Sequence, residues 1–259
     1  MISLCLVKLI LILFKISGYS KTFSADALSA AYALDHALYL MQNEYLPGAF
    51  IGAAESPLTP LVYNACVHSE EISLSGTFLP LSKHADGCLL GEGAGIITLE
   101  RYDNAQLRGQ KAFASIIGLG IDATLSGSIA HCLEQAGRGI DDIDCVLMDL
   151  KGSLFHDGRQ INELDTFFGD SKKPWLTTCK PLYGNMLGAD FAVDIVIAVQ
   201  ALIAQKIPCG LSSDDELLRP KCGKLVQDQS INAPLKTILV YACNAEGASI
   251  SVLIENIDS

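Results

Sequence analysis

"DGCLLGEGAGIITLE", Asp86 to Glu100, places Gly87, Gly91, Gly93 and Gly95 ahead of an apolar, β-branched run. Glycines that allow a tight entry, followed by such residues, predict a strand over Gly93–Glu100. Working outward, "RYDNAQLRGQ" reads as a short polar helix, and "KAFASIIGLG" (Lys111–Gly120) as a strand that opens a second half. Upstream, "AFIGAAES" (Ala49–Ser56) reads as a buried strand running into a loop with Pro57 and Pro60. Helical periodicity fits residues 26–42, with Leu28, Ala31, Leu34 and Leu38 at apolar positions. Its start, "TFSADALSAAYALDHA" (Thr22–Ala37), crowds short residues into a turn. A bend feeding a buried helix presents one side chain to a pocket while backbone N–H groups face a developing oxyanion. This bend carries no cysteine.

Beyond the second-half strand, Leu125, Ile129, Cys132, Leu133 and Ala136 share one helical face. "DCVLMDL" (Asp144–Leu150) reads as a strand, Asn162–Phe168 as a helix and "WLTTC" (Trp175–Cys179) as another strand. Gly188–Gln205 is apolar nearly all round, which marks a helix buried between layers. "KTILVYAC" and "ASISVLIE", separated by "NAEG", predict a closing antiparallel pair. Strands alternating with helices around a buried central helix imply layered α/β architecture. "GLGIDA" (Gly118, Gly120, Ala123) imitates a dinucleotide fingerprint, but Asp149 lies farther on than a ribose-binding acid should. It reads instead as a glycine-rich turn between strand and helix.

With 259 residues, 50% of them hydrophobic, the chain can bury a sizeable core without metals or disulfides. Its nine cysteines are scattered singly, with no CxxC pair, which argues against a disulfide framework or zinc site and for a reducing cytoplasm. The net charge of −11 excludes nucleic acid as a partner and disfavours direct docking of an acidic carrier protein. The N-terminal run "MISLCLVKLILILF" is broken by Lys8 and lacks a basic n-region and a cleavage site. It therefore reads as a strand or helix of the fold rather than a targeting segment, and about 14 residues are too few to span a bilayer.

The "GEGAG" core of the opening stretch, with "LERYDNAQLRGQKAFASIIG" after it, resembles the β-ketoacyl-acyl-carrier-protein synthase family. "AAESPLTP" (Ala53–Pro60) is similar to the family's loop after the strand that leaves the nucleophile helix. "CKPLYGNMLGADFAVDIVIAVQAL" (Cys179–Leu202) is similar to its segment carrying a lysine and, five residues later, a catalytic histidine. The resemblance runs from about residue 20 to the end and implies a thiolase-like, layered α/β/α/β/α fold. Its halves would be residues 1–103, a truncated N-terminal half, and residues 104–259. The family's elbow follows several N-terminal strands, whereas here it comes within the first 30 residues. An edge left open in this way implies dependence on association.

The resemblance also implies what the site lacks. Such a synthase uses a cysteine thiolate to accept the acyl chain and two histidines in decarboxylative condensation. Ala27 stands at the nucleophile position. Lys151, in Lys151-Gly152-Ser153, falls at the first histidine run, and His156 reads as a loop residue. Lys180 is retained, expected in a structural ion pair with Glu163 or Asp194, while Asn185 takes the second histidine's place. Asn244 replaces a gating aromatic. The expected protein is a non-catalytic subunit resembling the chain-length factors of ketosynthase heterodimers, especially the short ones of aryl polyene pathways. An active β-ketoacyl synthase would be its partner and would receive the acyl carrier protein. Thr22–Leu34 and Pro57–Ser69 are the expected contact segments. No cofactor, metal or membrane span is expected. The alternative is a stand-alone decarboxylase or acyltransferase working from Cys179, Cys66 or His156.

Overall fold

A computed structural model describes residues 12–69, 71–169, 171, 173–211 and 217–257. The N-terminal apolar run lies outside the described residues as far as Leu11. The first element described in full is α1 (Ser29–Gln42), which starts at Ser29 rather than residue 26. Residues 25–29 are taken up by a tight turn: Leu28 N–H donates to the Ala25 carbonyl and Ser29 N–H to that of Asp26, both at 3.0 Å. The Ser29 hydroxyl accepts from Ala25 N–H at 2.9 Å and donates to the Asp26 carbonyl at 2.6 Å. Asp26 completes the bend with a left-handed φ of 52°, a conformation that a short polar side chain tolerates.

The chain continues through β1 (Gly48–Glu55), α2 (Pro60–His68), β2 (Gly93–Glu100), α3 (Tyr102–Leu107) and β3 (Ser115–Asp122). Then come α4 (Leu125–Ala136), β4 (Cys145–Leu147), α5 (Leu154–Phe168), β5 (Trp175–Thr177), α6 (Lys180–Tyr183) and α7 (Asp190–Ala204). The elements β6 (Lys206–Ile207), β7 (Lys224–Leu225), β8 (Ile231–Asn232), β9 (Thr237–Cys243) and β10 (Ser249–Glu255) close it. The opening stretch forms its strand as expected, pairing antiparallel with β1 from Gly48↔Glu100 to Glu55↔Gly93. The main sheet has six strands in the order β3-β10-β9-β4-β5-β7. The closing pair is antiparallel, Ser249 opposite Cys243 and Glu255 opposite Thr237.

The helix α7 is buried between two sheets, packing on β2 on one side and β9 on the other, while α1 packs on β1 and on α7. The 18 residues Leu187–Ala204 have a mean hydropathy of 1.9, enough to cross a membrane by length and composition alone. Phe191, Ala192, Ile195, Ala198 and Leu202 instead join Leu34, Ile51, Val240 and Val252 in one apolar core. A second core fills the other face of the main sheet, where Ile129 and Leu133 of α4 and Ile161 and Leu164 of α5 meet Val146, Leu239 and Leu253. The described residues thus stack as sheet, helices, sheet, helices, a thiolase-like arrangement.

Two local expectations are corrected. Gly118 and Gly120 lie inside β3 rather than in a turn. A Cβ on Gly120 would stand 2.1 Å from the Ser128 carbonyl oxygen, so the glycines let α4 press against the strand. His156 is not in a loop, because α5 begins at Leu154, eight residues before Asn162. Apolar Leu154 and Phe155 are exposed in its first turn, which hides the start of the helix from a periodicity test.

Candidate functional site

Four chain segments converge beneath the elbow. Ala27 comes from the turn before α1, Asp149 and Lys151 follow β4, Leu187 precedes α7 while Asp190, Phe191 and Asp194 lie in its first turns, and Tyr241 and Ala242 come from β9. Together they line a narrow gap with no room for a water molecule. Ala27 therefore sits where the resemblance places a nucleophile, offering the gap a methyl group. Among the described residues, no cysteine or histidine lines it.

The charge at the site is organised around Lys180, which is fully buried. Its ammonium pairs with the Asp149 carboxylate and with Asp190 Oδ2 at 2.7 Å. Lys151 Nζ reaches the same oxygen of Asp149 at 3.1 Å, and Asp149 Oδ2 accepts from Cys243 N–H at 2.9 Å. Burial alone would raise the Asp149 carboxyl, yet Lys151, Lys180 and that amide together hold it at about 2. Burial would likewise lower the Lys180 ammonium, but Asp149, Asp190 and Asp194 push it well above the ordinary lysine range. The lysine is a locked cation and cannot exchange a proton at neutral pH.

The expected partners of Lys180 divide. Asp194 contributes charge from nearby, although its Oδ1 accepts a 2.6 Å hydrogen bond from the Tyr183 hydroxyl. Glu163 is not a partner: it sits on α5 and its Oε2 accepts from Ser126 N–H at 3.1 Å, at the start of α4. A carboxylate there meets the unpaired amides of a helix N-terminus. The direct ion-pair partners are Asp149 and Asp190 instead. The available signal was an acid ending an all-apolar strand, and two acids four residues apart on an otherwise apolar helix. Lys151, the residue expected at the first histidine run, lies on the outer side of Asp149, which is the group that approaches Lys180 from the end of β4.

Asn185, expected in the second histidine's place, uses both amide atoms. Its Oδ1 accepts from Leu187 N–H at 3.1 Å and its Nδ2 donates to the Cys88 sulfur at 3.3 Å. Cys88 belongs to the opening stretch, which docks here through Gly91 N–H on the Asn185 carbonyl at 2.9 Å. A Cβ on Gly91 would lie 2.0 Å from the Tyr183 carbonyl oxygen, so glycine is required at that contact. Asn244 lies in the turn between β9 and β10, where its Oδ1 accepts from Gly247 N–H at 2.9 Å and Arg159 reaches the carbonyl of Ala245 at 3.3 Å.

The alternative nucleophiles stand elsewhere. Cys179 is buried and burial pushes its thiol up to about 12. Cys66 is the buried residue of α2, and burial raises its thiol too. His156 packs edge-on against Phe155 with ring centroids 5.2 Å apart, and burial together with Arg159 lowers its affinity for a proton. None of the three lines the gap.

Comparison with known proteins bears on the family and the fold. The family description "Beta-ketoacyl synthase, N-terminal domain" fits residues 7–105, and "Beta-ketoacyl synthase, C-terminal domain" fits residues 122–214. The chain is 24% identical over 218 residues to "3-oxoacyl-[acyl-carrier-protein] synthase 2" of Vibrio cholerae serotype O1, covering 76% of this chain and 53% of that protein. It is 26% identical over 216 residues to "Putative polyketide beta-ketoacyl synthase 1" of Streptomyces cyaneus, covering 75% and 51%. It thus spans about half the length of the curated relatives it matches. Among solved structures it superimposes on a chain of a type II polyketide acyl-carrier protein complex with its ketosynthase, at a TM-score of 0.87 and 19% identity, covering 97% of this chain and 66% of that one. It also superimposes on "The ishigamide ketosynthase/chain length factor", at 0.82 and 20%, covering 92% and 60%. Matched along most of its length by the two domain descriptions of one family, the chain belongs to the β-ketoacyl synthases.

Proposed function

We propose that this chain is a non-catalytic, chain-length-factor-like partner of an active β-ketoacyl synthase. It would complete a heterodimer and help wall the tunnel into which an acyl or polyene chain grows. The observation that carries this reading is Ala27 at the elbow, facing a gap whose described lining includes no thiol or imidazole, with the retained Lys180 locked between Asp149 and Asp190 beside it. A methyl group cannot form a thioester, and neither an amide at position 185 nor a salt-bridged lysine can shuttle a proton at neutral pH. Tunnel-lining and partner-binding need shape and packing, which the buried cores and close glycine contacts supply.

The partner would hold the reactive cysteine and histidines and would receive the acyl carrier protein. One solved relative is a ketosynthase and chain-length-factor assembly, which favours this division of labour. The motifs suggest an analogy with short aryl polyene subunits. We read the chain as two related halves, 1–103 and 104–259, because α1 packs on β1 as α7 packs on β9. The contact surface includes Thr22–Leu34 and Pro57–Ser69, where Leu58, Leu61 and Tyr63 stand exposed. The scattered thiols, all free among the described residues, suit a reducing cytoplasm.

Co-expression with intact ketosynthases tests the proposal. A soluble one-to-one complex whose condensing activity survives Ala27→Gly and Ala27→Ser is the expected result. A complex whose activity depends on Cys179, Cys66 or His156 of this chain would favour a stand-alone acyl-processing enzyme instead.

A further inference from the structure

Three carboxyl groups and two ammonium groups share the buried ground beneath Ala27. Asp149 follows β4, Asp190 and Asp194 lie one turn apart on α7, Lys180 begins α6, and Lys151 closes the outer side. Lys180 engages Asp149 and Asp190, and Lys151 engages Asp149 again. Asp194 is left over. It is buried, and among the described residues no cationic side chain forms an ion pair with it. Its hydrogen-bond partner is the hydroxyl of Tyr183, at 2.6 Å. Around it stand the Lys180 charge, the like charges of Asp190 and Asp149, and the Cys179 thiol. Two cations cannot neutralise three buried carboxylates, and a carboxylate without a counter-ion binds a proton instead.

We propose that Asp194 carries a proton in the folded protein at mildly acidic pH and releases it as the pH rises, so that the support beneath the elbow is a pH-sensitive latch. Burial raises this carboxyl; Lys180 and the Tyr183 hydroxyl oppose it, Asp190 and Asp149 reinforce it, and the balance lies at about 7. The sign follows from linkage. An acid whose folded pKa lies above its unfolded value contributes full stability below the ordinary carboxylate range, about 4, and loses it progressively as pH rises toward the folded value. Asp194 lines the same gap as Ala27, and its helix packs on α1. Ionisation therefore places an uncompensated charge under the segment that carries the elbow. This inference does not depend on the partner role proposed above.

Thermal unfolding of the full chain between about pH 4 and 8 provides the test. The parent should lose stability as pH rises through this window, while Asp194→Asn should match the parent at the acidic end and exceed it at the alkaline end. Asp157, raised to about 6 by burial against the amides of Lys151, Leu81 and Gly152, titrates in both proteins and cancels in the comparison. Two further variants keep the test decisive where Asp194→Asn does not fold. Tyr183→Phe removes a donor to the charged form and should move the midpoint up, whereas Asp190→Asn removes a like charge and should move it down. A constant difference between parent and Asp194→Asn across the window, or shifts of the other two in one common direction, would overturn the proposal.

Discussion

Lys180 shows how a single side chain changes meaning with its neighbours. The ammonium is retained, but two carboxylates enclose it at zero exposure, so it behaves as an internal counter-ion. Breaking a buried pair by removing one partner leaves uncompensated charge and costs about 3–5 kcal/mol. Lys180→Ala should therefore lower unfolding stability by that amount in denaturant titration, and a loss within the range of ordinary surface changes would contradict the pairing. Asp149 adds an acid limit. Its carboxyl is held at about 2, below its unfolded value near 4, so its contribution is complete above about pH 4 and is lost as pH falls toward 2. Circular dichroism should register this acid transition in the parent, and Asp149→Asn should lack that component. The sequence made Lys180 and Asn185 legible because each stands at a fixed spacing in a recognisable segment. Asp149 and Asp190 were not legible, since their role exists only where β4, α6 and α7 meet. Glu163 was misassigned because an acid at helical spacing gives no sign of which helix end it faces.

At the level of elements, glycine contacts decide how closely the layers approach. Gly120 lets α4 lie against β3 so tightly that an added methyl would overlap the Ser128 carbonyl. Gly120→Ala forces the helix outward and should destabilise the chain by about 1–3 kcal/mol, as overpacking does elsewhere, measurable as a lowered denaturant midpoint with unchanged slope. A midpoint equal to the parent's would show that the layers tolerate separation. Most strands and the buried helix α7 were readable from period and composition, because strands buried on both faces keep continuous apolar runs. The start of α5 was not, since Leu154 and Phe155 expose apolar surface where a helix would ordinarily show polar residues. The glycines of β3 imitated a nucleotide-binding turn for a related reason: close strand-to-helix packing and close approach to a phosphate both demand the absence of Cβ.

For the whole molecule, a β-ketoacyl synthase scaffold remains while the elbow presents a methyl group. Layer order and family were legible because several motifs keep their sequence order, whereas the identity of a partner leaves no such trace. Leu61 on α2 is 83% exposed within a proposed contact segment. Leu61→Asp should leave the fold's melting temperature near that of the parent and weaken co-purification with a ketosynthase at least about tenfold, the loss expected of a residue central to an interface. Unchanged association would remove that surface from the account. The most direct test of the central claim is to incubate the isolated chain with acyl- and malonyl-carrier thioesters while following carbon dioxide release and protein mass. The account predicts no release above background and no acyl adduct on this chain, and rapid decarboxylation with an adduct on one of its own residues would contradict it.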